Sequence, residues 1–197
     1  MYAAFDDPYC YPGTSVLRNI PGLRNNDELA RFEAISSAQR ALDSLPSGTA
    51  TATHYRAIHR HLFRDVYAWA GRYRTVRIAK GGSMFCYPEH IADQMRQLFA
   101  KRWPARLAAT ATTAEFADQA AVLLSELNAI HPFRDGNGRT QMAFLALLAD
   151  RAGHGLDLAH IRPKAFVTAT IASVAGDLGP LATEIERLLA PGPARLA

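Results

Sequence analysis

Residues 140–148 are apolar on nearly every face of a helix, and a helix of that kind needs neighbours all round. This constrains the fold more than any other stretch, because other helices must be laid around it. The chain supplies them. Leu29, Phe32, Ile35 and Ala38 recur at helical spacing over residues 27–42, with Asn26 or Asp27 as the expected cap. A second helix, capped by Thr53, carries Tyr55, Ile58, Leu62 and Val66 and ends by Gly71. Pro88 suits the first turn of a helix running to about Arg102 with Ile91, Met95, Leu98 and Phe99. Thr112 and Glu115 form a capping box ahead of Phe116, Ala120, Leu123, Leu124 and Leu127, a stripe ending at Ile130. Further helices are expected after Pro163, with Phe166, Val167 and Ile171, and after Gly179, with Leu181, Ile185, Leu188 and Leu189.

One segment breaks the helical period. Residues 74–79 alternate polar and apolar, Gly81 and Gly82 make a turn, and residues 83–87 return, so 74–87 reads as a β-hairpin. Residues 1–26, rich in Pro, Gly, Tyr and Asn, read as an ordered irregular arm. There is no internal repeat and no composition break. The expected class is therefore all-α, a helical bundle around a central buried helix with one short β-hairpin. A single domain is expected over 1–190, with 191–197 a tail.

Composition removes several function classes. With 49% hydrophobic and 20% charged residues over 197, disorder is excluded. The longest apolar run, residues 142–149, is far short of the roughly 20 residues a membrane span needs. Asp6 and Asp7, with no basic residue before Arg18, do not suit a secretory signal, so a cytoplasmic protein is expected, and delivery into another cell is compatible with that. The net charge of +4 does not call for a nucleic acid. Arg56, Arg60, Arg64, Arg72, Arg74, Arg77 and Lys80 are concentrated locally and read as a solvated helix face beside a basic loop, or as an anionic docking surface. Cys10 and Cys86 have no metal or disulfide spacing. His54 and His61 would stand about 10 Å apart along a helix, too far for one zinc ion, and His59 points elsewhere, so His59 and His61 read as packed or hydrogen-bonded core groups.

The chemistry is concentrated in His131-Pro-Phe-Arg-Asp-Gly-Asn-Gly-Arg139, between two apolar helices. Gly136, Asn137 and Gly138 at a helix N-terminus let successive N–H groups converge on an anion, which suits a di- or triphosphate. Arg139 adds a charge-assisted phosphate contact. Asp135 offers a hard oxygen for Mg²⁺, and His131 has the side chain best suited to take a proton from a hydroxyl near neutral pH. Each residue alone is ordinary. Their density within nine residues beside a core is not.

This segment resembles the signature of the Fic family, His-x-Phe-x-Asp/Glu-Gly-Asn-Gly/Lys-Arg-x-x-Arg. The likeness extends over residues 7–150, through Asp7-Pro-Tyr-Cys-Tyr-Pro-Gly13, Ile58-His-Arg-His-Leu-Phe-Arg-Asp-Val-Tyr-Ala-Trp-Ala-Gly71, Leu127-Asn-Ala-Ile130 and Lys80-Gly-Gly-Ser-Met-Phe85, and is similar to the family's bacterial toxin subset. The resemblance implies a Fic fold, with residues 131–142 as the active-site loop and the start of the central helix. It also implies Mg-dependent AMP transfer from ATP to a Ser, Thr or Tyr hydroxyl of a protein. His131 would be the base, Asp135 the Mg²⁺ ligand, Gly136, Asn137 and Gly138 the anion hole, and Arg139 the pyrophosphate contact. Lys80, Gly81, Gly82, Ser83 and Met84 would form the flap that pairs with an extended target segment.

Two departures matter. The signature's second arginine falls on Met142, which carries no charge. That leaves room for transfer of a different group, phosphate or another nucleotide, or for a silent protein-binding module on the same fold. The family's inhibitory Ser/Thr-x-x-x-Glu pattern is also absent. Four residues before Glu28, Glu33, Glu89, Glu115, Glu126, Glu184 and Glu186 stand Arg24, Leu29, Phe85, Ala111, Val122, Pro180 and Ala182. This implies a toxin restrained by a separate small antitoxin bearing the inhibitory helix. No membrane or nucleic-acid partner is expected.

Overall fold

A computed structural model describes residues 7–80, 83–110 and 112–190. Eight α-helices carry the described chain: α1 Asn26–Leu42, α2 Ala52–Phe63, α3 Pro88–Ala100, α4 Trp103–Ala108, α5 Thr113–Ile130, α6 Asn137–Arg151, α7 Pro163–Val174 and α8 Gly179–Leu188. Two antiparallel ribbons accompany them, β1 Ala79–Lys80 with β2 Ser83–Met84, and β3 Gly155–Leu156 with β4 Leu189–Ala190. No helix among the described residues is long and apolar enough to cross a membrane. The chain forms two compact units, Met1–Ala92 with His131–Thr140, and Asp93–Ile130 with Gln141–Ala197.

In the first unit, α1 packs on α2. The cap of α1 is Asn25, one residue ahead of the expected pair; its side chain accepts the N–H groups of Asp27 and Glu28. The cap of α2 is Thr51 and not Thr53, and the helix ends at Phe63, before Val66. Tyr55, Ile58, Leu62 and Val66 are nevertheless all buried. The expected apolar face of α1 is corrected. Ile35 is 59% exposed and Ala38 is exposed, whereas Leu29, Glu33, Ser36 and Ser37 are buried. A polar strip can face inward only where polar partners meet it, and Arg139 and Tyr67 do so. Within the described residues, the arm from residue 7 on is tied down. Cys10 bridges to Leu17, and the Ile20 N–H donates to the Val66 carbonyl at 2.8 Å.

The hairpin is shorter than the alternation implied. Ala79 pairs with Met84 and Lys80 with Ser83; the Gly81-Gly82 turn lies outside the described residues. Arg74, read as a surface position, is instead 2% exposed. Alternation predicts which side a residue faces but not whether a fold element closes over it.

In the second unit, α5, α7 and α8 pack on one another and α4 lies against α5. Phe116, Ala120, Leu123, Leu124 and Leu127 are all buried, as their spacing requires, and the Thr112 hydroxyl accepts the Glu115 N–H at 3.1 Å. Along α6 no residue from 140 to 149 is exposed, which bears out the reading of a buried helix. Val167 and Ile171 of α7 are corrected to the surface, 51% and 63% exposed. The short α4, the 3-10 turn Leu158–His160 and the β3–β4 ribbon carry no sequence signal long enough to anticipate. The tail, 191–197, lies outside the described residues.

Candidate active site

The loop at 131–136 is built from its backbone outward. His131 is 6% exposed and has φ +48°, the left-handed region that non-glycine residues adopt only under constraint. Its carbonyl accepts the Arg74 Nε–H at 2.8 Å, and the Pro132 carbonyl accepts the Arg74 main-chain N–H at 2.9 Å. The Phe85 ring lies parallel on the imidazole, with centroids 3.9 Å apart.

Phe133 anchors the loop in the core. It is fully buried, stacked on Tyr55 and His59, and such burial stabilises by roughly 1.5–3 kcal/mol. The Asn137 side chain clamps the same residue from both sides. Its Oδ1 accepts the Phe133 N–H at 3.0 Å and its Nδ2–H donates to the Phe133 carbonyl at 2.8 Å. The Asn137 amide is thus committed to the loop, and what this residue can offer an anion is its main-chain N–H. Arg134 and Asp7 form a buried ion pair, 2.6 Å, which pins the N-terminal arm to the loop.

Asp135 is half-buried. Its Oδ1 accepts the Gly136 N–H at 2.6 Å, and its carbonyl accepts the His59 Nε2–H at 3.0 Å. His59 is fully buried, and its Nδ1 accepts the Gly71 N–H at 2.8 Å, which fixes the Nε2–H tautomer. Burial, reinforced by the Arg139 charge, pulls its pKa down to about 3 despite the bond to Asp135, so the ring is neutral.

Gly136 has φ +78°, and a Cβ there would stand 2.5 Å from the Phe63 ring, so no other residue fits. Beyond it α6 begins. The N–H groups of Asn137, Gly138 and Arg139 lie ahead of the first i to i−4 bond, from Thr140 to the Gly136 carbonyl at 3.1 Å. Gly138 is exposed, with nothing within 4 Å of where a Cβ would be. This is open room at a helix N-terminus, where the dipole favours an anion.

Arg139 sits over the Phe63 ring at 4.6 Å. One guanidinium nitrogen donates to Glu33 and another to the Ser37 hydroxyl at 3.0 Å, while Tyr67 donates to the other Glu33 oxygen. The side chain is 40% exposed, so a phosphate can reach it from solvent. Of the flap residues, Met84 is 58% exposed, Lys80 and Ser83 pair through the main chain, and Gly81 and Gly82 lie outside the described residues. Met142 is half-buried in the second turn of α6.

His131, Asp135, Gly136, Asn137, Gly138 and Arg139 therefore share one loop and helix start. Three supporting residues escaped the sequence reading, Arg74, Glu33 and Asp7, whereas His59 is buried and hydrogen-bonded as expected, a polar residue on a helix whose neighbours Tyr55, Ile58 and Leu62 are all apolar. The other two histidines hold main chain, His54 at Pro46 and His61 at Arg40. Among the described residues no cluster of three His, Cys, Asp or Glu side chains could hold a metal. Magnesium needs no such cluster. One or two carboxylates and the substrate's own phosphates suffice, and Asp135 beside the start of α6 fits that role.

Residues 49–149 match the model of the Fic/DOC family. Over 190 residues the chain is 50% identical to the probable protein adenylyltransferase y4lH of Sinorhizobium fredii, covering 95% of this chain and 98% of that protein. The fold is similar to the BepC protein of Bartonella tribocorum, solved with bound AMPPNP (TM-score 0.85, 26% identity, 94% of this chain and 97% of that one). It is similar also to the N-terminal Fic domain of a VirB-translocated Bep effector of Bartonella quintana with bound ADP (TM-score 0.83, 28% identity, 93% and 95%).

Proposed function

The chain belongs to the Fic/DOC family, and we propose that it is a protein adenylyltransferase that moves AMP from ATP to a Ser, Thr or Tyr hydroxyl of a target protein. The observation that carries the reading is the continuity of His131, Asp135, the open start of α6 and Arg139 within one loop, in a chain half identical to a probable protein adenylyltransferase. Bound adenine nucleotides in two structures of the same fold support ATP as the donor.

In this account the ATP phosphates lie against the main-chain N–H groups that open α6, over the space beside Gly138. His131 accepts the proton of the target hydroxyl, the freed oxygen bonds to the α-phosphorus, and the bond to the β-phosphate oxygen breaks, so that pyrophosphate leaves toward Arg139. Magnesium, when bound, neutralises phosphate charge, and Asp135 is the side chain that would hold it. The β1–β2 ribbon offers its edge to an extended target segment, with Lys80 to Met84 as the docking residues.

The reading places the activity in the cytoplasm, which supplies ATP. Within these 197 residues no glutamate is preceded by Ser or Thr at the fourth position, so restraint falls to a separate small antitoxin with an inhibitory helix. Met142 favours a second reading, in which another group is transferred or none. The test is mass spectrometry of lysate proteins incubated with the chain and Mg-ATP. AMP on a hydroxyl residue, absent with His131→Ala, supports the first reading; a phosphoryl group supports the second.

A further inference from the structure

Arg74 is 2% exposed, a guanidinium withdrawn from water and directed at main chain. Its three nitrogens donate to three carbonyls: Nε to His131 at 2.8 Å, one terminal nitrogen to Val76 at 2.7 Å and the other to Cys86 at 2.6 Å. Val76 and Cys86 are the two roots of the β1–β2 ribbon, and His131 lies 57 residues from Arg74 in sequence. Its main-chain N–H holds Pro132 as well. One side chain thus joins both legs of the ribbon to the residue read as the base.

A flat guanidinium suits this place because its donors leave in fixed directions, and a lysine ammonium cannot serve three carbonyls in one plane. The ribbon also touches the base directly. Phe85, whose N–H donates to the Ile78 carbonyl at 3.3 Å, stacks on the His131 ring. His131 is held at φ +48°, a conformation that persists only where the surroundings impose it.

We propose that Arg74 is a positioning residue that couples the ribbon to His131, so that seating a target strand on the ribbon aligns the base, and loosening the ribbon releases it. The inference rests on the reading of His131 as base and of the ribbon as target dock. It adds a dependence of base alignment on the ribbon. Water as the acceptor would then be served poorly, because nothing seats the ribbon.

The test compares the full chain with Arg74→Met and Arg74→Lys by amide hydrogen exchange. In Arg74→Met, the Phe85 amide on the ribbon and the Phe133 amide on the loop should both exchange at least about 10-fold faster, while α5 and α8 keep wild-type rates. Loosening of only one segment, or of neither, overturns the coupling. If Arg74→Met does not fold, Arg74→Lys is judged by the same criterion. With α-labelled ATP and lysate, protein labelling by the variant should fall at least about 10-fold in kcat with the KM for ATP unchanged. A loss confined to that KM contradicts the proposal. A wild-type chain that labels no protein defeats the transferase reading, and the exchange result then still decides the coupling.

Discussion

The Nε2–H of His59 donates to the main-chain carbonyl of Asp135 at 3.0 Å, across 76 residues of sequence. A fully buried imidazole from α2 thereby fixes the one carboxylate-bearing residue of the loop, and its other nitrogen holds Gly71. Protonation would place a hydrogen on Nδ1 and turn an acceptor into a donor facing the Gly71 N–H.

A pH dependence follows. The His59 pKa is held at about 3, below the ordinary 6.5, so the unfolded chain binds the proton more readily. Its contribution is complete above pH 6.5 and is lost as pH falls from there toward 3. The expected slope is up to about 1.4 kcal/mol per pH unit in that window. Urea unfolding of wild type and His59→Gln between about pH 7.5 and 5.5 checks it; the variant should show the shallower dependence.

Gly136→Ala is expected to cost about 2–4 kcal/mol, from the left-handed backbone and the approach to Phe63. Because the shift falls at the start of α6, the variant should also lose its rise in melting midpoint with Mg-ATP. Thermal melts with and without nucleotide measure both effects.

Glu33→Ala removes the acceptor shared by Arg139 and Tyr67. Burial and the Glu33 charge push the Tyr67 phenol well above its ordinary pKa, so the phenol stays neutral as a donor and is left without its acceptor. A loss of about 1–3 kcal/mol is expected, read from chemical denaturation. Glu33→Gln, which keeps an acceptor oxygen, should lose less.

Met142→Arg returns the charge that the family signature carries at this position. One charge-assisted contact is worth roughly 1.5–3 kcal/mol, so ATP affinity by calorimetry should rise at least about 10-fold. An unchanged affinity would mean that no phosphate comes within reach of this position.

The helices were legible because burial has a period. Phe116 through Leu127 declare an inward face, and the motif from His131 to Arg139 declares a phosphate site by its glycines and charges. What supports that site was not legible. Glu33 and Ser37 sit on a helix whose apolar residues suggested a different face, and it takes distant partners, Tyr67 at 34 residues away and Arg139 at 106 residues away, to make a buried carboxylate reasonable. Arg74 lay in an alternating stretch beside other arginines, and nothing local distinguishes a guanidinium that will be buried against three carbonyls from one left in water. Such residues are set by tertiary partners, which spacing along the chain does not encode.

The central claim is most directly tested by which phosphorus of ATP moves. Lysate proteins are incubated with the chain, Mg²⁺ and ATP labelled at either the α- or the γ-position, beside His131→Ala. The account predicts transfer of the α-label alone, lost in the variant. Transfer of the γ-label, or α-transfer that survives the loss of His131, would contradict it.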